Sequence, residues 1–196
     1  LAHFTEVTLA TLPDADVTQL VRVKLAQIYG AGATMPPTLI ERISARAQGN
    51  PFYIEELLNF LHHRGIDPQR PDALEQINLP TSLHSLILSR MDRLSERQKP
   101  TLKVASVIGR VFDPGTISAI YPGLREPDVR QDLTELERLD LTSLERPEPE
   151  LAFIFKHVVT QEVAYETLPF ATRARLHGEL GLFTERRHHD DLDQHL

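Results

Sequence analysis

Apolar residues recur along most of this chain at helical spacing. Ile54, Leu57, Leu58 and Leu61 fall at i, i+3, i+4 and i+7, which places them on one stripe of a helix running from Pro51 to about Arg64. Val17, Leu20, Val21, Leu25 and Ile28 predict a helix from Asp14 to about Tyr29, ended by Gly30-Ala31-Gly32. Leu39, Ile40, Ile43 and Ala47 predict a second, opened by Pro36-Pro37 and stopped at Gly49. Leu83, Leu86, Ile87, Met91 and Leu94 mark a fourth helix, with Ser82 as its cap. Ser95 is the cap expected for the next, which runs through Leu102 and Ala105 to Ile108. Pro100 lies in the first turns of that helix, where a missing amide has no intrahelical partner to lose. A short helix to about Ile120 follows the turn at Gly109-Arg110-Val111-Phe112-Asp113-Pro114. Pro127 to Leu139 is a stronger one, with Val129, Leu133, Leu136 and Leu139 on its inner face. Helices from His157 to Leu168 and from about Thr172 complete the chain.

The alternating pattern of a strand is confined to short stretches, Phe4 to Leu9, Leu141 to Glu145 and Leu151 to Phe155. The last two are joined by Arg146-Pro147-Glu148-Pro149-Glu150. Three helices followed by this ribbon is the order of a winged-helix domain. Between Ile66 and Thr81 the prolines Pro68, Pro71 and Pro80 interrupt any periodicity and predict a connecting loop. The fold class expected is therefore mainly α: a helical bundle followed by a winged-helix domain with a short β-ribbon.

One junction compresses a helix end and a helix start into three residues. Gly49 can adopt the left-handed conformation that closes a helix, Asn50 can accept a bond from the next first turn, and Pro51 has the φ of a first helical position. Glu55 and Glu56 follow near the positive helix end, which favours carboxylates.

Of the 196 residues, 41% are hydrophobic and 25% charged, the balance of an ordinary globular polypeptide with material for one or two small cores. The absence of Cys excludes disulfides, zinc-thiolate sites and thiol nucleophiles and is compatible with a reducing cytoplasm. There is neither a signal peptide nor an apolar run of the ~18 residues a membrane helix needs. The net charge of -7 argues against a general nucleic-acid surface.

Candidate chemistry is sparse. None of the nine glycines is followed by Lys, so a phosphate loop of the Gly-x-x-x-x-Gly-Lys-Ser/Thr type is absent, and this stretch alone cannot hydrolyse ATP. The helix from Glu126 to Asp140 is the one that would enter a major groove. It carries Glu126, Asp128, Asp132, Glu135, Glu137 and Asp140 against Arg130 and Arg138, a balance that repels phosphates. His62-His63 and His188-His189 are adjacent pairs, and neighbours about 100° apart on a helix rarely share one metal ion, so no metal site is expected. Nor does any Ser, His and carboxylate pattern justify a catalytic triad.

The phrases GNPFYIEELL, LPTSLHSLILSRMDRL, VIGRVFD and FKHVVTQEVAYETL, in this order, resemble the lid and winged-helix region of the STAND (AAA-type) signalling ATPases. The closest likeness is to the modules attached to bacterial adenylate and guanylate cyclases and large transcriptional regulators. The resemblance implies a remnant last strand of the nucleotide-binding core over residues 1–12, a helical lid over 13–81, a winged-helix domain over 82–170, and a C-terminal helix with a frayed tail over 171–196. It implies that Gly49, Asn50 and Pro51 form the turn whose proline packs on the adenine of ATP or ADP, and that His157 faces the β-phosphate of ADP with Lys156 adding charge beside it. Read from the residues alone, His157 is a polar residue capping a helix start. His177 also has the family's look, in a packing role.

On this resemblance the chain is a regulatory, non-catalytic piece of a cytoplasmic, multidomain switch, an excised portion whose partners are the missing core and the other domains of its parent. It has neither a membrane nor a nucleic-acid partner, and nucleotide is expected in the full-length parent, an ATPase or a nucleotide cyclase, rather than in the isolated piece. Two readings from other classes stand beside it: a transcription regulator whose winged helix binds DNA, and a structural or partner-binding helical domain.

Overall fold

The computed structural model describes residues 8, 10–67, 69 and 80–187. The strand expected over 4–9, all but Thr8, most of the Pro-rich loop and the tail from 188 onward lie outside the described residues. The chain divides into two compact units, Leu1–Ser89 and Arg90–Leu196. Among the described residues it is mainly helical, with one small antiparallel sheet.

The first unit contains α1 (Asp14–Tyr29), α2 (Pro37–Ala47) and α3 (Pro51–His63), each packed on the other two. The same unit includes the start of α4 (Leu83–Asp92), and the division falls within that helix. Their starts and stops follow from local chemistry. Asp14 and Asp16 occupy the first turn of α1, where acids oppose the helix dipole favourably, and Gly30 ends it at φ 98°. α2 begins on the Pro36-Pro37 pair. Ser82 accepts the amide of Ser85 at 3.1 Å to open α4.

Val17, Val21 and Leu25 of α1 and Leu39, Ile43 and Ala47 of α2 supply one residue per turn to the core, and Leu20, Ile28 and Ile40 pack against it half-buried. The expected stripe of α3 is the centre of that core: Ile54, Leu57, Leu58 and Leu61 are each 0% exposed. Each such side chain contributes about 1.5–3 kcal/mol on removal from water, which makes α3 the element the unit can least spare.

The second unit contains α5 (Gln98–Ile108), β1 (Val111–Phe112), α6 (Pro114–Ile120), α7 (Glu126–Arg138), β2 (Thr142–Arg146), β3 (Ala152–Phe155), α8 (Val158–Glu166) and α9 (Phe170–Arg187). α5 is its hub, in contact with β1, α6, α7, α8 and α9. Ser95 and Gln98 set its start by a reciprocal exchange. The Gln98 amide donates to Ser95 Oγ at 3.2 Å, and the Ser95 amide donates to Gln98 Oε1 at 2.9 Å.

The sheet has the order β1-β3-β2, antiparallel throughout. Thr142 faces Phe155 and Leu144 faces Phe153, with an irregularity before Arg146 opposite Ala152. β1 was expected as part of a turn. Two residues are too few to show a period of two, and they become a strand only because Phe112 lies opposite Phe153 and packs its ring 5.0 Å from Phe155. Among the described residues no helix is long and apolar enough to cross a membrane.

Tyr29, at the end of α1, donates its hydroxyl to the carbonyl of Ile66 at 2.9 Å. Burial, and then the nearby Asp67 charge, push its pKa up to about 12. The folded protein thus holds the phenol proton more tightly than the unfolded chain. The stability this contributes is complete below pH 10 and is lost as pH rises from about 10 to about 12. Burial raises Tyr53 as well, so alkaline titration of phenolate absorbance will show late-ionising tyrosines, of which Tyr29→Phe removes one equivalent. A titration in which that substitution leaves the late amplitude undiminished contradicts the assignment.

Candidate functional site

The corner between α2 and α3 is built from below. α2 ends at Ala47, and two consecutive residues, Gln48 at φ 48° and Gly49 at φ 73°, take left-handed conformations. The turn is closed by the amide of Asn50 donating to Ala47 O at 2.8 Å. Gly49 is buried under the segment entering α1, where the Leu12 amide donates to Gly49 O at 2.9 Å. A Cβ on Gly49 would lie 2.7 Å from Leu12 O and 2.7 Å from Thr11 Cβ, closer than real atoms approach. Glycine is required here twice, by its φ and by its lack of a side chain.

Asn50 Oδ1 accepts the amides of Phe52 at 3.0 Å and Tyr53 at 3.4 Å, as expected of a cap. Its neighbour Pro51 occupies the first helical position, and both are exposed. Tyr53 is buried beneath and donates its hydroxyl to Pro80 O at 2.7 Å, while Glu55 pairs with Lys24 at 3.1 Å on the surface.

The corner's chemistry follows from this accounting. With two first-turn amides occupied by Asn50, it is poorly suited to bind an anion through α3's N-terminus. What it presents at the surface is the apolar ring of Pro51, at the start of a helix whose entry is restrained by the Gly49–Leu12 contact.

His157 lies in the second unit, so the structure brings Gly49, Asn50 and Pro51 together in one unit and places the histidine in the other. It is the N-cap residue of α8, with φ -132° and ψ 137°, and its carbonyl accepts the Thr160 amide at 3.0 Å. The half-buried imidazole takes no first-turn amide, so the side chain does not cap the helix although the residue occupies the capping position. Lys156 differs from expectation. Its ammonium is ion-paired with Asp140, which is held at φ 62° just past α7. The positive charge beside His157 is therefore matched within the unit.

His62, His63 and His177 have local partners. His177 Nε2 lies 3.0 Å from the Tyr165 hydroxyl, and the Arg173 guanidinium lies 4.9 Å from the centre of the Tyr165 ring, a cluster that joins α8 to α9. His62 meets Tyr29 edge-on at 5.2 Å, and His63 Nδ1 lies 2.6 Å from Asn59 O. Among the described residues no three His, Asp or Glu side chains are grouped to hold a metal ion.

The acids of α7 and its flank are engaged within the unit rather than displayed as a repulsive face. Asp132 is 0% exposed, 2.8 Å from Arg97 Nε, and accepts the Thr101 hydroxyl at 2.9 Å. Asp128 pairs with Arg125 at 2.7 Å and Glu126 with Arg130 at 2.7 Å. Glu135 accepts from Gln98 at 3.1 Å, Glu137 accepts the Leu144 amide at 2.9 Å, and Asp140 holds Lys156. The exposed positions of α7 are Pro127, Gln131, Thr134, Glu137 and Arg138. That face is near neutral, and Arg138 is its one cation, too little for a phosphate backbone.

No protein-family model matches the chain, and no curated protein matches it.

The corner's rigidity is testable by substitution. Gly49→Ala combines a left-handed φ with a backbone clash and will cost about 2 kcal/mol or more, whereas Asn50→Ala, which frees two first-turn amides to water, will cost about 1 kcal/mol. Equilibrium denaturation followed by circular dichroism will rank them. Equal effects would show that Leu12 does not constrain the corner.

Proposed function

We propose that this chain is the lid and winged-helix portion of a STAND-type ATPase inside a multidomain bacterial signalling protein of the cyclase-associated kind. In that protein it contributes contacts to a bound ATP or ADP and takes no part in the chemistry. The observation that carries this reading is the α2–α3 corner, where an exposed proline follows a buried, tightly packed glycine by two residues and Asn50 already takes the first-turn amides. Such a surface recognises a base rather than a phosphate.

The arrangement of the second unit supports the same reading. α5, α6 and α7 are followed by the β2–β3 ribbon, the element order on which we base the winged-helix reading, and β3 also pairs with β1. His157 stands at the end of that ribbon, where an imidazole can donate to a phosphate oxygen. Because Lys156 is committed to Asp140, the histidine is the group to which we assign the phosphate contact. A ligand shifts a conformational equilibrium only through contacts that differ between states, and ADP is the nucleotide that holds the closed one. The chain acts in the cytoplasm, and its partners are the nucleotide-binding core and output domain of the parent. DNA binding finds no comparable support, since the outward face of α7 is nearly neutral.

Calorimetric titration of ADP and ATP into the full-length protein tests this. Pro51→Ala and His157→Ala will each weaken ADP binding by about tenfold, near 1.4 kcal/mol, while melting as the parent protein does. Unchanged affinity in both variants removes the nucleotide role.

A further inference from the structure

We propose that the groove between α5 and α9 in the second unit is a docking site for an acidic peptide segment of a protein partner, anchored by one apolar side chain. The inference is independent of the nucleotide reading and rests on shape, lining and charge.

The groove encloses about 260 Å³ and is lined mostly by apolar atoms. Val104 of α5, Leu168 of the α8–α9 connection and Leu176 of α9 close its bottom, and the half-buried Pro100 and Tyr121 form its sides. Sites for cofactors and other small molecules run from about 300 to 1,000 Å³. A smaller apolar recess suits a single anchoring side chain of the kind that dominates peptide recognition.

The rim selects the sign of the partner. Lys99 and Lys103 are one turn apart on α5 and both border the opening. Lys99 pairs with Glu96 at 2.8 Å, but Glu96 has a 91% exposed side chain, and water screens such a pair so strongly that the ammonium exchanges partners at little cost. Lys103 also acts on Glu96 through its charge but forms no contact ion pair among the described residues. Arg175 of α9 lies 5.7 Å from the centre of the Tyr121 ring and likewise has no carboxylate partner among them. Two lysines and one carboxylate thus border the apolar recess, with Arg175 against the Tyr121 ring, in a chain whose net charge is -7. Carboxylates flanking an apolar anchor complement that rim and are steered to it.

The probe is a fluorescein-labelled peptide, Glu-Glu-Leu-Glu-Glu-Phe-Glu-Glu-Leu, titrated with the 196-residue chain by fluorescence anisotropy. Two control peptides are used, one with Lys in place of every Glu and one with Ser in place of Leu and Phe. The acidic apolar peptide will bind below about 1 mM. Both controls will bind about tenfold more weakly or not at all, and added salt will weaken the interaction. The Lys99→Glu/Lys103→Glu double variant will lose about tenfold in affinity at an unchanged melting temperature. Amide shifts in the same titration will fall on residues 99–104, 121 and 168–176. No binding up to about 1 mM, equal binding of the basic or the serine peptide, or unchanged affinity in the double variant overturns the proposal.

Discussion

The close approach of the Leu12 backbone to Gly49 is the constraint on which the α2–α3 corner of the first unit depends. The two strands of backbone meet at 2.9 Å through one hydrogen bond, with no room for a side chain at residue 49. The contact joins the entry to α1 to the exit from α2, and it fixes the direction in which α3 leaves. Burial of α3's apolar stripe supplies most of the free energy, several side chains at about 1.5–3 kcal/mol each. That energy alone would tolerate small rotations of the helix start. The glycine contact and the Asn50 cap remove this freedom, so that Pro51 is held at a set angle on the surface.

In the second unit the corresponding organiser is α5, and electrostatics rather than shape gives it its particular neighbours. Asp132 of α7 is wholly buried against Thr101 of α5 and Arg97 just before it. A buried carboxylate is costly unless satisfied, so the pairing of these two elements admits few alternatives. The remaining acids of α7 and its flank bond to Arg125, Arg130, Gln98, the Leu144 amide and Lys156. Exposed pairs of this kind add little stability, but they redistribute charge. Counting the carboxylates along the helix gave a repulsive face, whereas its outward positions are nearly neutral.

Much of the helical framework was legible from periodicity and end signals, because those are local. The stripe of Ile54, Leu57, Leu58 and Leu61, the Asn50 cap and the Ser82 and Ser95 starts all depend on residues within a turn or two of each other. What depended on distant residues was not legible. β1 exists because of β3, some forty residues away, and was too short to announce itself. The steric demand on Gly49 comes from Leu12, and nothing in the Gly-Asn-Pro spelling points there. The neutralisation of Lys156 comes from Asp140, for which the one available signal was an acidic residue directly after a helix, where Asp tolerates the left-handed conformation. Of the candidate site, the position of His157 at the strand-to-helix junction was readable. That its ring does not cap α8 was not.

The central claim is that the Pro51 corner and the His157 junction respond to the same nucleotide. Hydrogen exchange of the full-length protein, measured with and without saturating ADP, addresses both segments in one experiment. The account predicts slowed exchange in peptides covering residues 49–54 and 156–160 together, and less slowing with ATP than with ADP. Slowing in neither segment, or in only one of them, contradicts it.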